Sequence, residues 1–182
     1  MAVQPSERKP PANSLTLEAF LPRDAAKVLS WVCGDHDAYL LAPRTPPPLT
    51  IRKLLQWSGP GRSAYLLEES SGEAVGYGEL NLLSGPRRQY WLGHLLIDPA
   101  RRGAGLGRRL TELLLERAFC DRQASRVALV VFEGNDAARR CYLAAGMVED
   151  GYETHYFPHY GRHVRLLRMV ATRAARERAR IR

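Results

Sequence analysis

The sequence predicts a mixed α/β (α+β) fold, with a mostly antiparallel sheet of six to seven strands flanked by helices. Three stretches carry that expectation. Residues 64–97 read as three strands joined by tight turns, an antiparallel meander. Trp91 to Phe119 (WLGHLLIDPARRGAGLGRRLTELLLERAF) reads as a strand, a glycine-rich turn and an amphipathic helix. Arg126 to Phe132 (RVALVVF) is a near-continuous apolar run, the pattern of a buried strand beside a parallel neighbour.

In chain order, Met1 to Asn13 is rich in Pro, Lys, Arg and Glu, and is expected to be a disordered lead. Ser14 to Phe20 alternates apolar and polar residues and predicts a first strand. Asp24 is a helix-start residue, with Ala25, Val28, Leu29 and Val32 on one face. The prolines from Pro43 to Pro48 make a stiff loop, because proline continues neither a helix nor a central strand. Thr50 is an N-cap for a helix to Trp57.

Ala64 to Glu69 and Ala74 to Leu83 flank the turn Ser70-Ser71-Gly72, and Gly85-Pro86 turns the chain into Gln89 to Ile97. Asp98-Pro99 stops that strand. Leu106, Leu110, Leu113, Leu114 and Ala118 then mark a helix face. After Phe132, Asn135-Asp136 starts a helix with Ala138, Cys141, Tyr142 and Ala145 on one side, and Gly146 ends it. Met147 to Phe157 and His163 to Val170 close the chain as a hairpin. Residues 14–170 are therefore expected to form one domain, followed by a basic helical tail, 171–182.

With 182 residues, 45% apolar and 25% charged, this is the composition of one globular domain with a sizeable core. No apolar run approaches membrane-spanning length, and the first residues are polar, so neither a signal peptide nor a transmembrane helix is expected. Cys33, Cys120 and Cys141 are scattered and odd in number, which fits a reducing cytoplasm better than a disulfide or zinc framework. A net charge of +8 favours anionic partners without choosing among them.

The junction Arg101-Arg102-Gly103-Ala104-Gly105-Leu106-Gly107 is the most specific feature. A helix start carries unpaired N–H groups and the positive end of the macrodipole, and glycines let an anion approach the backbone. Together they make an anion site, for which phosphate is the usual occupant; the alternative is a glycine-rich turn with solvated arginines. It lacks the Gly-Lys-Ser/Thr end of a magnesium-dependent P-loop, and its glycines fall two apart rather than in a dinucleotide fingerprint.

Arg102 to Gly107 resembles the acyl-CoA loop of the GCN5-related N-acetyltransferases (GNAT superfamily), which reads Gln/Arg-x-x-Gly-x-Gly/Ala between a strand and a long helix. A second stretch, Asn135-x-x-Ala138-x-x-x-Tyr142-x-x-x-Gly146-Met147, is similar to that family's later motif, with Met147 where Phe is usual. The resemblance spans about 14–170. It implies the GNAT fold, with helices on both sheet faces and a splay between the fourth and fifth strands. It implies acetyl-CoA as cosubstrate, no metal, and transfer of the acetyl group to a primary amine, on a small molecule or a protein, by direct attack on the thioester.

Residue by residue, the resemblance implies that the backbone of Leu95, Leu96 and Ile97 bonds the pantetheine arm. Amides of Arg102, Gly103, Ala104, Gly105, Leu106, Gly107 and Arg108 would hold the pyrophosphate. Asn135 would contact the pantetheine region, and Tyr142 would act as general acid toward the departing thiolate. The alternatives are a helix cap for Asn135 and a core position for Tyr142 and Cys141. The attacking ammonium must also lose a proton. Glu79, His94 and Glu133 are the candidates, with Glu79 ranked above His94. The resemblance fixes none of them.

In this fold the early helices and the last hairpin wall the acceptor groove. Here they bring Trp31, Asp35, Asp37, Tyr39, Glu153, Tyr156 and Tyr160, a mix suited to a cationic amine. Contact of the basic tail with nucleic acid or a ribosome, and a homodimer, remain open partners. The rival reading is a non-catalytic acyl-CoA-binding or nucleic-acid-associated module on the same fold.

Overall fold

The computed structural model describes residues 14–83, 85 and 88–175. The expected N-terminal lead, 1–13, lies outside them. Seven strands form one sheet: β1 (Leu15–Ala19), β2 (Arg62–Glu69), β3 (Ala74–Leu82), β4 (Gln89–Ile97), β5 (Arg126–Phe132), β6 (Val148–Phe157) and β7 (Arg162–Thr172). Their order is β1-β2-β3-β4-β5-β7-β6. Every pairing is antiparallel except β4 with β5.

The helices are α1 (Ala25–Ser30), α2 (Gly34–Leu41), α3 (Ile51–Leu55), α4 (Leu106–Glu116) and α5 (Asp136–Ala144). Strand alternation gives the sheet a core on each face. Tyr65 and Leu67 of β2 join Leu110, Leu114 and Leu129 in one core, while Leu66 between them joins Val28, Leu54 and Trp57 in the other. Leu106, Leu110 and Leu114 recur every four residues, so α4 buries one continuous stripe. A wider π-type turn, Arg117–Asp121, prolongs it and keeps Ala118 and Phe119 buried.

The sheet opens at one place. β4 pairs with β5 only at Gln89↔Arg126, Tyr90↔Val127 and Trp91↔Ala128. Past Trp91, β4 stays with β3 as far as Ile97, while β5 stays with β7 as far as Phe132. The two strands diverge, and the β5-facing edge of residues 92–97 is left without a strand partner. This is the splay implied by the resemblance.

Several boundaries differ from the sequence expectation. The helix expected from Asp24 to Val32 divides into a 3-10 turn (Pro22–Asp24) and α1, which stops at Ser30. Helix α2 was not expected: it has no fully buried residue, so its sequence carries no apolar period. Thr50 caps α3 as expected, its hydroxyl accepting from Lys53 N at 3.3 Å, but the helix ends at Leu55. Strand β7 runs to Thr172, so residues 171–172 belong to the sheet rather than to the tail. Arg173 is also tied in, donating to Ala124 O at 3.2 Å and to Phe119 O. Residues 173–175 are helical, and the rest of the tail, 176–182, lies outside the described residues.

Candidate active site

The β3–β4 ladder carries a bulge in the stretch where β4 has parted from β5. Tyr77 pairs with Leu96 and Glu79 with Gly93, so Gly78 stands opposite both His94 and Leu95. His94 absorbs the extra residue with φ of +47°, a backbone region that side-chain-bearing residues rarely adopt. Leu95, Leu96 and Ile97 follow the bulge, in the part of β4 that has no partner in β5.

Beyond Ile97, Asp98 accepts from Ala100 N at 2.9 Å and sets a 3-10 turn, Pro99–Arg101. Gly105 is the N-cap of α4 with φ of +78°, a conformation that favours glycine. Lacking a side chain, it cannot cap the helix. Arg109 N is the amide that bonds back to Gly105 O, at 3.1 Å. The amides of Leu106, Gly107 and Arg108 therefore precede the first intrahelical bond and stay available to an anion.

The loop's arginine side chains are otherwise engaged. Arg101 pairs with Glu69 and Glu73, and Arg108 and Arg109 both reach Glu112. Arg102 donates to Asp37 Oδ2 at 3.0 Å and to Ile97 O at 3.3 Å, tying α2 to the loop. What the loop presents to an anion is mainly backbone.

Gly107 has a different role from Gly105. A Cβ there would lie 3.2 Å from Cys141 Sγ and 3.8 Å from Ile97 Cγ1. The missing side chain lets α5 close onto the start of α4 and the end of β4. Asn135 caps α5, its Oδ1 accepting from Ala138 N at 3.2 Å. Its capping reading therefore holds. Tyr142 lies next to Cys141, half-buried and packed against the main core. Among the described residues its hydroxyl has no hydrogen-bond partner. Burial, and then the neighbouring Cys141, push its pKa above the ordinary tyrosine value, so the hydroxyl keeps its proton. Met147 fills the usual Phe position as a core residue, 2% exposed.

Glu79 sits on β3 behind the bulge and is only 2% exposed. Tyr77 Oη donates to its Oε1 at 2.8 Å and Asn81 Nδ2 to its Oε2 at 3.1 Å. His94 Nδ1 stands 2.9 Å from Oε1, close enough for an ion pair but off the line of a straight hydrogen bond. Burial alone would raise the Glu79 pKa. The contacts with His94, Asn81 and Tyr77 outweigh it and hold the group below its usual value, as a carboxylate. The His94 ring stacks on Trp57, with centroids 3.7 Å apart and planes 9° apart, and Trp57 Nε1 donates to Thr45 Oγ1 at 3.0 Å. Glu133 is exposed and lies 3.4 Å from Arg165.

Of the residues expected to wall the acceptor groove, Tyr39 of α2 meets Phe132 at 4.8 Å, Tyr160 at 4.6 Å and Phe157 at 6.4 Å between centroids, joining α2 to the ends of β5 and β6. Asp37 is paired with Arg102, and Glu153 with Arg168 and His155. Tyr156 is exposed against His163, and Asp35 is exposed. Trp31 is buried in the second core and does not wall a groove. Sequence reasoning missed Tyr77, Asn81 and Trp57 around Glu79. The signal was the polar alternation Tyr77, Glu79, Asn81 on one face of an otherwise apolar strand.

These residues fit an acyl-CoA donor. An unpaired strand edge suits an amide-bearing arm, and a bare helix start suits a pyrophosphate. The model of the Acetyltransferase (GNAT) family matches residues 27–147. The chain is 30% identical over 145 residues to the N-alpha-acetyltransferase RimI of Mycobacterium tuberculosis, covering 79% of this chain and 84% of the relative. Its fold is similar to that of spermidine N-acetyltransferase from Vibrio cholerae, solved with CoA and spermine (TM-score 0.75, 20% identity, 88% of this chain and 96% of that one). It is also similar to aminoglycoside acetyltransferase AAC(6')-Ib, solved with coenzyme A (TM-score 0.71, 26% identity, 92% and 99%).

The chain belongs to the acetyltransferase (GNAT) family. Its activity is acetyl-CoA-dependent N-acetyl transfer. Among the described residues no helix is long and apolar enough to cross a membrane, and no group of three His, Cys, Asp or Glu side chains is placed to hold a metal.

Proposed function

We propose that the acceptor is the α-amine at the N-terminus of a protein or peptide, acetylated in the cytoplasm. The observation that carries this is the 30% identity to an N-alpha-acetyltransferase across most of both chains. The acceptor side supports it. Of its carboxylates, Asp37 and Glu153 are already paired with Arg102 and Arg168 and Asp35 alone stays exposed without an ion pair among the described residues, which leaves less negative charge for a polyamine or aminoglycoside.

Bound acetyl-CoA supplies the thioester acetyl group. In this reading the backbone of Leu95 to Ile97 aligns the arm along the open strand edge. The amides of 106–108, with the rest of the Arg102 to Arg108 loop, hold the pyrophosphate. His94 accepts the proton of the incoming amine at Nε2, because Nδ1 faces Glu79. Buried Glu79 serves as the carboxylate that orients the ring, which reverses the ranking expected from sequence. Tyr142 donates its proton to the departing sulfur. The support for this last role is its unpartnered, protonated hydroxyl on the helix that closes over Gly107.

The test is mass spectrometry of acceptor panels incubated with acetyl-CoA. The reading expects one acetyl group on peptides with a free α-amine and none on the same peptides with that amine blocked. Turnover of spermidine or kanamycin with no peptide product would overturn it.

A further inference from the structure

Two guanidinium groups at the acceptor side have no carboxylate partner among the described residues: Arg44 and Arg162. They come from segments far apart in the chain, yet the fold sets them on neighbouring rings. Arg162 stands over Tyr39 at 4.9 Å and Arg44 over Phe157 at 6.0 Å, and those rings are 6.4 Å apart. Every other arginine named at this end is neutralised by a carboxylate, as Arg165 is by Glu133 and Arg168 by Asp150 and Glu153.

Arg44 is held in place from two directions. Its Nη2 donates to His155 Nδ1 at 2.6 Å. That bond requires the ring hydrogen on Nε2, and Nε2 lies 2.8 Å from Glu153 Oε2, where it donates. Arg168 in turn donates to Glu153 Oε1 at 3.1 Å, so the chain Arg168–Glu153–His155–Arg44 is continuous. The backbone around Arg44 is tied as well. Lys53 Nζ bonds Pro46 O at 2.7 Å and Pro48 O at 2.8 Å, and Thr45 Oγ1 accepts from Trp57. A fixed planar fork is the arrangement that recognises a carboxylate. Thr45, the residue after Arg44, links through Trp57 to the ring of His94.

We propose that Arg44 and Arg162 select an acidic peptide N-terminus, receiving the carboxylate of an Asp or Glu side chain close behind the acceptor amine. This rests on the α-amine reading above. It names a partner by charge and position: amine toward His94, carboxylate toward the two arginines.

The test compares kcat/KM for short peptides that differ only in Asp/Glu against Asn/Gln at the second and third positions, at low and high salt, with free aspartate and glutamate as separate acceptors. The expectation is a preference of about tenfold or more for the acidic peptides, weakening with salt. Arg44→Gln with Arg162→Gln should level the acid-to-amide ratio. Arg162→Glu should turn the preference toward Lys-containing peptides, a gain that loss of folding cannot mimic. Equal use of acidic and amide peptides by the wild type overturns this proposal while leaving α-amine acetylation standing. So does a preference that the arginine variants leave intact. Free amino acids used as well as peptides overturn the peptide assignment. Absence of any peptide turnover overturns both readings.

Discussion

His94 Nδ1 stands 2.9 Å from Glu79 Oε1, on adjacent strands and at the one point where β4 bulges. The pair joins a buried carboxylate to a ring that is a quarter exposed and stacked on Trp57. A carboxylate behind a histidine fixes the ring and leaves its far nitrogen to meet the acceptor. His94→Ala is therefore expected to lower kcat by about 10²-fold. Glu79→Gln, which keeps the shape, should cost only about tenfold. Steady-state kinetics with saturating acetyl-CoA make the comparison. A larger loss for Glu79→Gln than for His94→Ala would restore Glu79 as the base.

The same carboxylate predicts an acid limit to stability. Its folded pKa lies below the ordinary 4.5, because the contacts with His94, Asn81 and Tyr77 outweigh burial. The fold therefore favours the charged form. That stability is fully present above the unfolded value and is lost as the pH falls through the folded one. Thermal midpoints measured from about pH 7 to about pH 3 should fall more steeply for wild type than for Glu79→Gln below the ordinary carboxylate range. Parallel curves would show that Glu79 does not carry the acid sensitivity.

Gly107 predicts an effect of packing. A methyl group there meets Cys141 Sγ at 3.2 Å, so Gly107→Ala requires the α4–α5 contact to give by a few tenths of an ångström. Overpacking of this kind costs about 1–3 kcal/mol. The expected result is a raised KM for acetyl-CoA together with a lower melting temperature. Adding Cys141→Ala removes the clashing sulfur and should restore much of both. Failure of the double variant to recover either quantity would place the defect in the loop itself.

The Gly105 position isolates backbone conformation instead. Nothing lies within 4 Å of a Cβ at Gly105, so Gly105→Ala adds no clash. Its φ of +78° makes any side chain pay about 1–2 kcal/mol in the left-handed region. Weaker acetyl-CoA binding, read by calorimetry, is the expected outcome. Unchanged affinity would show that the loop holds its shape without glycine there.

Much of the fold was legible because its elements have strong periods. The Leu106–Leu110–Leu114 stripe and the apolar run of β5 report burial directly, and both lie where expected. Helix α2 was not legible, since it buries no residue completely and is held by single contacts such as Asp37 to Arg102 and Tyr39 to Phe132. The glycine turn was legible because its conformation is local: Gly105 takes a positive φ of 78° at the start of α4. The cluster around Glu79 was read only in part. Asn81 and Tyr77 share its strand face, but Trp57 reaches His94 from another segment. Arg44 and His155 are 111 residues apart, and no local pattern links them.

The central claim is that acetyl transfer takes place where β4 and β5 part, with Tyr142 supplying the proton to the leaving sulfur. Its hydroxyl has no partner among the described residues, so Tyr142→Phe removes one proton donor with little structural consequence. The direct measurement is single-turnover acetyl transfer by Tyr142→Phe beside acetyl-CoA affinity, across a pH series. The account predicts a rate lower by about 10²-fold or more, with affinity nearly unchanged. Full turnover by Tyr142→Phe across that series would contradict it.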